Sequence, residues 1–184
     1  MKNMINIGSR LAIICAVSAI ILAVVNSKTA PIIVLQQENA VKEALEQVSS
    51  GYTVGEQQTT DDPEINYIYP LYKDDSVVGY IMNLQSNGYG GPMKLLASFT
   101  TSGETLGVKL VEDSETPGLG KKAESNEYMT KFIGKGDSTP LPLKKSDLTM
   151  SEADSVSGAS ITFGGIAKAL SAGSLYAKKL GGAK

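Results

Sequence analysis

An α+β domain, with an antiparallel sheet flanked by helices and a single membrane-spanning helix in front of it, is the fold class this sequence predicts. Three observations predict it. Leu11 to Val25 is an unbroken run of apolar or small residues. Asn66 to Glu112 alternates with period two and is punctuated by hairpin-type turns, and a small-residue turn near Gly158 leads into a helix-like segment ending near Leu180.

Counted from Ile5 to Val25, the N-terminal run is long enough to cross a bilayer, because Arg10 can snorkel to the headgroups. Counted from Leu11 alone, it has the length of a signal-peptide core, with a conceivable cleavage after Ser27. Ala30 makes a poor cleavage site, with Lys28 at its −3 position and Pro31 after it, so an uncleaved anchor is favoured. The expected division is residues 1–30 as cytoplasmic tip and anchor, and 31–184 as an extracytoplasmic domain. Lys2, Arg10 and the α-amino group precede the run and Lys28 alone closely follows it. The positive-inside rule then puts the N-terminus in the cytoplasm of a protein crossing the cell (inner) membrane once.

Val34 to Val48 places Val34, Val41, Leu45 and Val48 near one stripe, which predicts an amphipathic helix linking anchor to domain. Ser49-Ser50-Gly51 ends it, and Thr59 to Pro63 reads as a loop. Asn66–Lys73, Val77–Gln85, Leu95–Thr100 and Thr105–Glu112 read as strands, with Leu106, Val108 and Leu110 on one face. Their short connections require antiparallel neighbours. Asn126 to Ile133 is a short helix, Thr139 to Asp147 a linker, and the last helix runs from about Thr162 to Leu180. Gly164 and Gly165 weaken that helix locally, which suits close packing beneath a phosphate.

Composition narrows the chemistry. The net charge is −2, and all 19 Asp and Glu lie beyond residue 26, so nucleic acid is not an expected partner. The chain has no histidine, and its one cysteine, Cys15, lies inside the apolar run. It therefore lacks the usual neutral-pH base, the commonest metal ligand and any soluble thiol, and no metal site is expected. Redox chemistry would have to come from a bound cofactor. Gly88-x-Gly90-Gly91 lacks the spacing of a dinucleotide-binding fingerprint.

The heptad Asp154-Ser-Val-Ser157-Gly158-Ala159-Ser160 sets a hydroxyl on a small-residue turn before a helix. A phosphate esterified there would face free backbone N–H groups. The competing reading is a plain helix cap, since Ser and Thr are preferred at helix starts. Upstream, Glu115-Thr-Pro-Gly118-Leu119-Gly120 has a proline that fixes one backbone angle and glycines that let the backbone approach a planar ring. A simple Pro-Gly turn has the same composition.

The heptad resembles the signature of covalently flavinylated proteins, in which a flavin transferase esterifies the FMN phosphate onto the last hydroxyl residue. Together with Tyr89-Gly90-Gly91-Pro92, Glu115 to Gly120 and Phe132-Ile133-Gly134-Lys135, in that order, it makes nearly the whole chain resemble the G subunit of the Rnf electron-transport complex. That family shares its FMN-binding domain with the C subunit of the sodium-translocating quinone reductase. The resemblance implies FMN bound through a phosphoester at Ser160. The implied cofactor contacts are Ser157, Gly158, Ala159, Ile161 and Thr162, with Glu115, Thr116, Gly118, Leu119 and Gly120. It implies an electron carrier with no catalytic residue and no independent turnover, in a membrane complex coupling ferredoxin:NAD electron transfer to sodium or proton translocation. The implied partners are the other subunits and a flavin transferase. Ser160 stands where threonine is commoner, and Thr162 is a second hydroxyl nearby. The alternatives are the quinone-reductase C subunit, an extracytoplasmic flavin-binding redox sensor or regulatory domain, and a purely structural assembly subunit.

Overall fold

The computed structural model describes residues 2–182, with side chains from residue 5 onward. Two compact units divide the chain, Met1–Ala40 and Val41–Lys184. The described residues of the first unit are helical throughout. Its helix, α1, runs over Lys2–Val48 and so continues into the second unit. Among the described residues it is the one helix long and apolar enough to cross a membrane. Ile5, Ile14, Ile21 and Val25 expose their apolar side chains, as a lipid-facing surface requires. The linking helix expected over Val34 to Val48 is part of α1, continuous with the residues before it. Pro31 leaves one backbone bond unmade without ending the helix.

The second unit is built on one antiparallel sheet of six strands. β1 (Thr53–Val54), β3 (Ile65–Lys73), β4 (Ser76–Asn87), β5 (Pro92–Thr100) and β6 (Thr105–Glu112) lie in that order, and β2 (Gln58–Thr59) also pairs with β3. The four long strands coincide with the expected ones to within a few residues. Asp74 and Asp75 both have positive φ, 47° and 64°, which is the backbone of a type I′ turn and sets the β3–β4 register. β2 falls partly in the stretch expected to be a loop.

Both faces of the sheet are covered. One carries Leu71, Ile81 and Leu96 and is covered by Ala44 and Val48, from the end of α1. The other carries Met82, Leu84, Met93, Leu95 and Phe99 and is covered by α4 (Ser160–Gly182) through Phe163, Ile166, Ala167, Leu170 and Ala177. These positions recur at i, i+3, i+4, i+7 and i+14, the apolar stripe that a sheet-packed helix needs. Leu106 corrects an expectation. Phe99 pairs with Thr105 while Ser98 pairs with Gly107, so Leu106 is the extra residue of a β-bulge. It joins the face of Leu71 and Ile81, opposite Val108 and Leu110.

α4 lies close enough to the sheet for its glycines to matter individually. A Cβ on Gly165 would collide with the carbonyl oxygen of Asn87 and lie 3.1 Å from Met93 Cε. The same glycine's carbonyl accepts a hydrogen bond from Ser86 Oγ at 2.7 Å. Gly164 faces open space. Of the two glycines expected to allow close packing, only Gly165 does so, and its neighbour is the end of β4. Gly165→Ala should therefore cost stability, by about 1–3 kcal/mol of overpacking, although alanine is the better helix former. Gly164→Ala should be neutral or stabilising by up to ~1 kcal/mol. Chemical denaturation of the two variants checks the contrast.

Candidate functional site

Two short helices bring the chain to the start of α4. α2 (Asn126–Met129) is capped by Ser125 Oγ, and α3 (Met150–Ser155) by Thr149 in a reciprocal capping box with Glu152. After α3 the chain turns at Val156, Ser157 and Gly158, and Gly158 has φ +82°. A residue with a Cβ is strained in that conformation, so glycine is the natural occupant. Ala159 then precedes α4, and its carbonyl accepts the first helical bond, from Phe163 N, at 2.9 Å.

This arrangement decides the capping question. Ala159 holds the cap position and has no side-chain oxygen with which to cap. Ser157 Oγ donates back to the Ala153 carbonyl and accepts from Lys145 Nζ at 2.6 Å. Thr162 Oγ1 is buried and donates to Glu115 Oε2 at 2.7 Å. Ser160 is exposed on the first turn, and among the described residues its hydroxyl has no hydrogen-bond partner. None of the three hydroxyls caps α4, so the N–H groups of its first turn are left for another acceptor.

Glu115 fastens the site. It is 4 % exposed. Its Oε1 accepts from Gly90 N at 3.0 Å and its Oε2 from Thr162, so one carboxylate joins three segments far apart in sequence. A Cβ on Gly88 or on Gly120 would collide with that carboxylate. Glycine at both positions is what admits a glutamate here. Asp113 Oδ1 in turn accepts from Glu115 N at 2.7 Å. Burial raises the Asp113 carboxyl above its usual range, against the opposing effect of that hydrogen bond. Burial, and then the charge of Glu115, also raise the phenol of Tyr128, whose hydroxyl is buried without a partner among the described residues.

Beside this clasp is a cavity of about 340 Å³, within the ~300–1,000 Å³ of small-molecule sites. Thr116, Leu119 and Gly120 line it from the Glu115 loop, Gly158 and Thr162 from the heptad side, and Tyr89 from the β4–β5 connection. Six of the expected site residues, Glu115 among them, are thus brought together. Gly118 is exposed in the same loop, with φ +78° and open space where a Cβ would be. Ala159 is buried, while Ser157 and Ser160 are exposed. Ile161 turns elsewhere, into a cleft of about 530 Å³ that it shares with Gln85, Gly164 and Lys168. Tyr89 is a lining residue that sequence reasoning missed, although its Tyr-Gly-Gly-Pro motif stood out. The signal was an aromatic residue between two glycines.

The residues present fit FMN. The first turn of a 23-residue helix has an uncapped start beside an exposed hydroxyl, where a phosphate suits the free N–H groups. The neighbouring cavity is walled by an aromatic and an aliphatic side chain, Tyr89 and Leu119, as a planar ring requires.

Two segments of the chain match described families. Residues 88–173 match the FMN-binding domain family, and residues 1–48 match the family described as the RnfG N-terminal region. The chain is 29 % identical over 178 residues to the G subunit of the ion-translocating oxidoreductase complex of Methanosarcina acetivorans, covering 92 % of each. It is 31 % identical over 192 residues to the protein of the same name from Salmonella typhimurium, covering 94 % of this chain and 90 % of that one. The G subunit of a proton-translocating ferredoxin:NAD(+) oxidoreductase complex from Clostridium ljungdahlii is 26 % identical over 168 residues, covering 88 % of this chain and 85 % of that one.

Proposed function

Because this chain belongs to the G subunits of Rnf-type ion-translocating oxidoreductase complexes, we infer that it carries electrons through FMN esterified to Ser160. Membership makes it a flavoprotein subunit of a multi-subunit membrane electron-transport complex. Ser160 holds the phosphate, a flavin transferase installs it, and the complex couples electron transfer between ferredoxin and NAD to sodium or proton translocation. Residues 1–30 are the anchor with a cytoplasmic N-terminus, and residues 31–184 are extracytoplasmic.

The observation that carries the attachment site is the exposed Ser160 hydroxyl on a helix start whose capping position is an alanine. FMN supplies one- and two-electron transfer when bound. The chain's own part is to hold and orient it. Free N–H groups of the first turn of α4 stabilise the remaining phosphate charge. Glu115 keeps the Gly90 loop and Thr162 in register. Thr162, buried and donating to Glu115, is poorly placed to be the acceptor.

Asp154 is read as a recognition residue for the transferase. A stabilising helix-charge role would need a helix N-terminus, but Asp154 is exposed and sits in the last turn of α3. Asp154→Ala should leave thermal stability within ~0.5 kcal/mol while flavin incorporation falls sharply. Normal incorporation in the variant would remove the residue from the recognition signal.

The function is tested by purifying a tagged chain from its native membranes. A complex subunit brings integral membrane partners with it, and its flavin absorbance bleaches on adding reduced ferredoxin or NADH. A chain that arrives alone, with a flavin neither donor reduces, is the redox sensor instead.

A further inference from the structure

We propose that Tyr89 covers the flavin ring, forming one wall of its pocket opposite Leu119, an inference that rests on FMN being attached at Ser160. Tyr89 is 74 % exposed, yet its backbone is tightly held. Gly88 N donates to the Gly91 carbonyl at 2.8 Å, and Gly90 N donates to Glu115 Oε1 at 3.0 Å. A Cβ on Gly88 would collide with Glu115, and one on Gly90 with the Ser114 carbonyl oxygen. The loop is therefore fixed against the Glu115 segment on both sides of the tyrosine, while the ring itself has little protein to pack on. Leu119, at 44 % exposure, lines the same cavity. A rigid backbone that presents an aromatic ring and an aliphatic side chain to one cavity suits a planar aromatic guest, which takes a π-face on one side and a branched alkyl on the other.

The test uses the full-length flavinylated protein in detergent. A phenol in contact with an electronically excited flavin returns it to its ground state by passing an electron over and taking it back, whereas a benzene ring cannot. The chain has no tryptophan to do the same. Tyr89→Phe and Tyr89→Leu should raise native flavin fluorescence several-fold. The fluorescent band of the denatured protein in a gel should stay as strong as in the unsubstituted chain, because attachment uses a different segment. Tyr89 is largely exposed and lies outside both buried clusters, and circular dichroism checks that each variant is folded. Unchanged native fluorescence in both variants, with the gel band intact, overturns the assignment of Tyr89 alone. A missing gel band in the unsubstituted protein overturns the attachment at Ser160, and this assignment with it.

Discussion

Ser160→Ala should abolish the covalent flavin and leave the fold intact. The side chain is exposed and does not cap α4, so its loss should change stability by no more than ~0.5 kcal/mol. The fluorescent band of the denatured protein should disappear completely, and Ser160→Thr should restore it, since threonine supplies the same oxygen. Thr162→Ala should give the opposite pattern. It removes a buried hydroxyl that donates to Glu115, at a cost of roughly 1.5–3 kcal/mol for a hydrogen bond to a charged group, and keeps the band. Retention of the band in Ser160→Ala with loss in Thr162→Ala would move the attachment two residues along the helix.

Glu115→Ala should produce the largest loss of stability of any single change at the site. Two hydrogen bonds to a buried carboxylate vanish together, each worth about 1.5–3 kcal/mol. The Gly90 N–H and the Thr162 hydroxyl are left facing a void between Gly88 and Gly120. Glu115→Gln separates the charge from the geometry. Its carbonyl oxygen can accept from Gly90 N, and its amide can donate to Thr162 Oγ1 once that hydroxyl turns from donor to acceptor. Much of the stability should return with glutamine. Urea denaturation of the two variants checks this, and equal stability of Glu115→Ala and the native chain would show that the carboxylate does not fasten the site.

The four long strands and the last helix were legible because each has a dense apolar pattern of its own period. Failures arose where a feature depends on a partner distant in sequence. The β-bulge at Leu106 is set by its pairing with β5 and reverses the side it faces without altering the local pattern. The partnership of Glu115 with Thr162 spans 47 residues, and nothing in the Pro-Gly loop announces it. The helix α3 was readable in principle, since Thr149-x-x-Glu152 is a capping-box sequence, but its six residues carry too short an apolar pattern to be found by periodicity. The heptad from Asp154 to Ser160 was visible as a motif. What the sequence could not show is that Ala159, rather than a serine, takes the capping position, which requires knowing where α4 begins.

The most direct test of attachment at Ser160 is mass spectrometry of the full-length protein produced together with a flavin transferase. Trypsin releases Ser146 to Lys168 as one peptide, whose hydroxyl residues are Ser146, Thr149, Ser151, Ser155, Ser157, Ser160 and Thr162. This peptide should gain the mass of one FMN less one water, and fragmentation should place the gain on Ser160. An unmodified peptide, or a gain on Ser157 or Thr162, would contradict the assignment.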